Sequence, residues 1–100
     1  MTEKLTIGTR VKVKSTVESG YRENQKVWER TNKSCTGWYV GYTFKREGLY
    51  HPGEGDGWDY ELPYLEVTHS VKVLRIKPKE TSNDVFAFPE DVTREEVQNV

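Results

Sequence analysis

Glu54-Gly55-Asp56-Gly57-Trp58-Asp59-Tyr60-Glu61 sets four carboxylates in eight residues, the densest cluster of reactive side chains in the sequence. Oxygen ligands around glycine turns suggest calcium, but the D-x-[DN]-x-[DN]-G spacing and a glutamate at the proper distance are both absent. The same carboxylates lie near Tyr50, Trp58, Tyr60 and Tyr64, and ring faces beside negative charge favour a cationic group. The competing reading is that alternating aromatics fill a core while the acids face water. The single cysteine, Cys35, has no histidine near it in sequence, and thiol reactivity needs a site that lowers its pKa. His51 and His69 are too far apart to form a short metal-ligand motif. No Gly-x-Ser-x-Gly turn occurs. These residues predict no catalytic group, no metal and no cofactor. A third set is basic: Arg10, Lys12 and Lys14 on one strand face, and Lys72, Arg75, Lys77 and Lys79 later. Joined into a stripe with an exposed ring such as Tyr39, they would suit nucleic acid, although a pI of 6.1 is low for such a domain.

The elements that must carry these residues read as β. Val11 and Val13 alternate with Arg10, Lys12 and Lys14, which is the pattern of a half-buried strand. Residues 15–26 are polar, contain Gly20 and read as a long loop. Val27 to Thr31 forms a second candidate strand. Trp38, Val40, Tyr42 and Phe44 alternate and predict the strongest strand, with those four side chains facing inward and Gly41 marking a bend. Residues 45–57, rich in glycine, read as a long flexible connection. Trp58, Tyr60, Leu62 and Tyr64 alternate again, with a kink expected at Pro63. Val71 to Lys77 switches phase, which predicts a bulge or burial on both faces, and Pro78 ends it. Residues 79–84 form a polar hairpin loop. Val85 to Phe88 is a short last strand, and Thr93-x-x-Glu96 fits a capping box that would start a terminal helical turn. The expected core is Val11, Val13, Trp38, Val40, Tyr42, Phe44, Leu74, Ile76 and Phe86.

One hundred residues make a single domain, 1–100, with residues 93–100 frayed or briefly helical. The composition is 34% hydrophobic and 12% aromatic, which suits a folded chain. One cysteine excludes an internal disulfide framework. No apolar stretch reaches the roughly 18 residues of a membrane span, and no signal-peptide pattern opens the chain, so a cytoplasmic location without membrane contact is expected. The net charge of −1 divides into a basic first half and an acidic second half. Such asymmetry either steers oppositely charged partners or is neutralised within the fold.

The Gly8-x-x-Val11-x-Val13 opening, the central Gly37-Trp38-x-Val40-Gly41 and the closing Phe88-Pro89-Glu90-Asp91-Val92 resemble small Src-homology-3-like barrels of KOW type. They also resemble small uncharacterised proteins of bacteriophages and prophages. The resemblance spans about residues 8–92 and implies an all-β barrel of five or six strands, with a long loop at about 45–57 and a short C-terminal turn. The function expected is a non-enzymatic module that binds a protein through Tyr50, Glu54, Asp56, Trp58 and Asp59, because loops on a rigid barrel carry binding and aromatics anchor interfaces. The alternative is a nucleic-acid-binding barrel using the Arg10, Lys12 and Lys14 face. Self-association through the loop, giving a homo-oligomer, is the third expectation.

Overall fold

The computed structural model describes residues 5–55, 61–79 and 82–95. Its elements are β1 (Arg10–Val13), β2 (Val17–Arg22), β3 (Gln25–Arg30), β4 (Cys35–His51), β5 (Tyr64–Lys77), β6 (Val85–Ala87), a 3-10 turn (Pro89–Asp91) and β7 (Val92–Arg94). All strand pairs are antiparallel and form one seven-stranded sheet in the order β3-β2-β6-β5-β4-β1-β7. A second contact of β3 with β4 bends β2, β3, β4, β5 and β6 into a partial ring. There is no α-helix among the described residues.

The β1 alternation holds: Val11 and Val13 are buried and Lys12 and Lys14 are exposed. They pack with Tyr39, Leu74, Ile76 and Ala87 in the main core, flanked by Leu5, Cys35, Val85 and Val92. Burying side chains of this size contributes about 1.5–3 kcal/mol each. The phase switch in β5 reflects burial on both faces. Val73 is buried on one side and Leu74 and Ile76 on the other, and β5 ends before Pro78, as expected.

Five expectations need correction. The sheet has seven strands where five or six are expected, because residues 17–22 and 92–94 pair as strands. Residues 15–26 do not form a loop but fold into β2 and the start of β3. Glu23 and Asn24 join them with φ of 47° and 66°, the two positive values of a type I′ hairpin turn, whose twist matches the flanking strands. The Trp38 stripe does not face inward as a unit. A register shift between Tyr39 and Gly41 leaves Val40 as an extra residue, and Gly41 takes φ of 130°. This bulge changes the phase, so Tyr39, expected outside, is buried. Tyr42 and Phe44, expected in the core, lie exposed, and Trp38, Val40 and Phe86 are half-buried. Residues 45–57 are not one long loop: β4 runs on to His51, while β5 starts at Tyr64, just after Pro63. Trp58 and Tyr60 lie outside the described residues. Finally, Thr93 starts no helical turn. Val92 to Arg94 pair with β1, and the helical turn comes earlier, at Pro89 to Asp91; Glu96 lies outside the described residues.

The length of β4 and β5 shapes the molecule. Principal extents are 70 × 32 × 23 Å and the radius of gyration is 17.7 Å, against about 13 Å for a compact chain of this length. β6 covers only Leu74 to Ile76 of β5. Beyond that, β4 and β5 continue as a two-stranded arm, against which the tip of the β2–β3 hairpin rests.

Candidate functional site: the β4–β5 arm

The arm is built by an unbroken ladder from Gly41↔Arg75 to Glu47↔His69, followed by a second ladder from Gly48↔Val67 to His51↔Tyr64. The two are separated by a bulge in which Thr68 is the extra residue. Its hydroxyl donates to the Glu47 carbonyl at 3.3 Å. Gly48 sits so close to β5 that a Cβ there would overlap the Glu66 carbonyl.

Glu47 joins the arm to the body. The residue is 8% exposed. One oxygen accepts the Trp28 amide N–H at 2.7 Å and the other meets His69 Nε2 at 2.7 Å. Only Gln25↔Leu49 and Lys26↔Gly48 pair β3 with β4 directly, so the Glu47 side chain extends that closure to a third position. Nearby, Lys45 Nζ lies 4.1 Å from the Phe86 ring centre and 5.0 Å from that of Trp28. The Trp28 indole N–H is buried without a hydrogen-bond partner.

The outer half of the arm gathers apolar side chains. Leu49, Leu62, Tyr64 and Val67 are all exposed, Leu62 at 74%. The register places Leu49 (opposite Glu66) and Tyr64 (opposite His51) diagonally on one face of the arm, and Val67 (opposite Gly48) on the other face. His51 stacks on Tyr64 with ring centres 4.5 Å apart and contacts Glu66 at 2.9 Å. Tyr21, at the hairpin tip, meets Tyr50 edge to face at 5.8 Å.

Nearer the body, one sheet face carries a different set. Tyr42 pairs with Leu74, Phe44 with Lys72, and Arg46 with Ser70. Cross-strand partners share a face, so this is the outward continuation of the face that buries Leu74 and Ile76. Tyr42 and Phe44 meet edge to face at 5.9 Å, and Lys72 Nζ lies 4.6 Å from the Tyr42 ring centre.

Of the loop residues expected to bind a protein, Tyr50 belongs to β4 and Glu54 is exposed beyond it, its carbonyl accepting the Glu61 N–H at 2.7 Å. Asp56, Trp58 and Asp59 lie outside the described residues. The basic face of β1 is divided. Arg10 donates to Glu95 at 3.2 Å and lies over the Trp38 ring at 4.6 Å. Lys12 and Lys14 remain exposed, lining an open cleft of about 650 Å³ that Glu90 and Asp91 also line. Arg75, from the later basic cluster, is held by Asp84 at 2.7 Å.

Asp91, largely buried, accepts from Arg30 at 2.6 Å, and that hydrogen bond holds the guanidinium above its ordinary pKa. Burial pushes the Cys35 thiol up, opposite to what a nucleophile needs. No cluster of three or more metal-ligating side chains occurs among the described residues. No helix there is long and apolar enough to cross a membrane.

Sequence reasoning passed over Leu49, Val67, Arg46 and the exposure of Tyr42 and Phe44. The local signal was Gly41, a glycine inside a strand, which marks where alternation breaks. The chain matches no known family model, no characterised protein and no solved structure.

Proposed function

We propose that this chain is a non-enzymatic protein-binding module that presents the outer half of its β4–β5 arm to a partner. The observation that carries this reading is the exposed pair Leu49 and Tyr64 on one face of the projecting arm, with Leu62 exposed just before β5 and Val67 exposed on the arm's other face. Contiguous exposed apolar side chains mark interaction surfaces, and aromatic residues anchor them. Tyr50 and Glu54 belong to this end of the arm. Asp56, Trp58 and Asp59 follow in the sequence between β4 and β5, and carboxylates in this segment would favour a basic rim on the partner. The partial ring of β2 to β6 supports reading the body as a small Src-homology-3-like barrel with an arm attached. A phage or prophage origin rests on the sequence resemblance alone.

Affinity capture from the cells that make the protein tests the reading. Wild type and Lys12→Glu should retain one stoichiometric protein partner, and a Leu62→Ser/Tyr64→Ser double variant should lose it. Equal capture by all three would refute the arm as the contact surface. Sedimentation over a concentration series separates a foreign partner from self-association, since a stable oligomer with no other partner would identify the occupant as a second copy.

A further inference from the structure

We propose that the outward face of β4 and β5 around Tyr42, Phe44, Arg46 and Lys72 is a stacking platform for single-stranded nucleic acid. The platform occupies the inner half of the arm and is independent of the apolar outer half. Tyr42 is 56% exposed and Phe44 58%, so two aromatic rings stand in solvent on a sheet face whose apolar positions nearer the body, Tyr39, Leu74 and Ile76, are buried. Among the described residues, the cations beside them have no anion. Arg10, Arg22, Arg30 and Arg75 each hold a carboxylate, whereas Arg46 has no ion pair and Lys72 only the Tyr42 ring among the described residues. On this face, Cys35, Gly37, Tyr39, Tyr42, Phe44 and Arg46 of β4 and Ser70, Lys72, Leu74 and Ile76 of β5 include no carboxylate. Positive charge beside open rings, with no negative charge on this face among the described residues, matches a ligand that is a polyanion with π-faces. Bases stack on aromatic side chains while lysine and arginine follow the phosphates. An acidic peptide would use the cations but leave the rings without a role. Four residues of strand separate Tyr42 from Arg46, about 13 Å, so the site holds a few nucleotides. This location differs from β1, where Glu95 holds Arg10 and Glu90 and Asp91 adjoin the lysines.

Fluorescence anisotropy with labelled oligothymidylate and oligouridylate, each about a dozen nucleotides, tests the proposal. Binding should weaken linearly in log–log with salt, each phosphate contact adding about 0.7 to the slope. Phe44→Ala should lose roughly fivefold or more in affinity, and Arg46→Gln should lower the salt slope by about 0.7. Lys12→Gln should change neither. Both platform side chains are exposed, so circular dichroism spectra should match wild type. If Phe44→Ala disturbs the fold, the Arg46→Gln and Lys72→Gln slopes decide alone. Absence of binding, equal binding of polyglutamate, or binding that survives all three platform substitutions overturns the proposal.

Discussion

Replacing Glu47 with alanine removes a side chain that bonds β3, β4 and β5 together. The Trp28 amide then loses its acceptor inside the ring. A buried N–H left without a partner costs about 1–3 kcal/mol, and hydrogen bonds to a charged acceptor lie toward the upper end. The His69 limb adds little, because the imidazole is 54% exposed and such pairs contribute about 0–1 kcal/mol. Glu47→Ala should therefore cost about 2–4 kcal/mol, measured by urea unfolding followed through tryptophan fluorescence. Glu47→Gln retains an acceptor for the Trp28 N–H and should cost about 1 kcal/mol. His69→Ala should resemble the smaller loss. The ordering Ala, then Gln, then His69→Ala is the discriminating result. If Glu47→Ala costs less than about 0.5 kcal/mol, or if Ala and Gln are equivalent, the Trp28–Glu47 bond does not close the ring and the argument fails.

Gly41→Ala should lower stability by about 1–3 kcal/mol, read from the denaturation midpoint, because φ of 130° is strained for any residue with a Cβ even though the space there is open. Trp28→Phe should change stability by no more than about 1 kcal/mol, since it removes the unpartnered indole N–H together with some packing. Cys35 should react with a thiol reagent more slowly than free cysteine at mildly alkaline pH and regain the free rate in denaturant, as its raised pKa leaves less thiolate in the fold. The linked stability effect has a definite sign: the folded state holds this proton more tightly, so stability declines as pH rises past the thiol's unfolded pKa.

Much of the body was legible because it depends on local pattern. Val11 and Val13 declared β1 by alternation, and Pro78 declared the end of β5. The doubled apolar phase of residues 71–77 announced either a bulge or a strand buried on both sides, and Val73 with Leu74 and Ile76 shows the second. What escaped depends on long-range partners. The β2–β3 turn is Glu23-Asn24, without the glycine that usually advertises a type I′ hairpin, and the surrounding residues are polar because β2 is largely exposed and β3 only half-buried. Glycines at 48, 53, 55 and 57 suggested a break. Yet Gly48 is required inside a strand, where β5 passes too closely for a side chain. The inward assignment of Tyr42 and Phe44 assumed one unbroken period of two, and Val40 breaks it. Their exposure then located a candidate surface away from the loop and from the β1 face, the two places the charge pattern favoured.

The strand β6 has only three residues, and a single pair, Val17↔Phe86, joins it to β2. That seam is the weakest joint in the ring, so local opening should begin there before the main core yields. The β2–β3 hairpin would then swing outward about its attachment to β4 at Gln25 and Lys26, its Val17 and Arg30 end moving furthest and uncovering the base of the arm. Amide exchange at Val17 and Phe86 should accordingly outpace exchange at Val73 and Ile76, making the ring a clasp whose loosening sets how much of the arm a partner can reach.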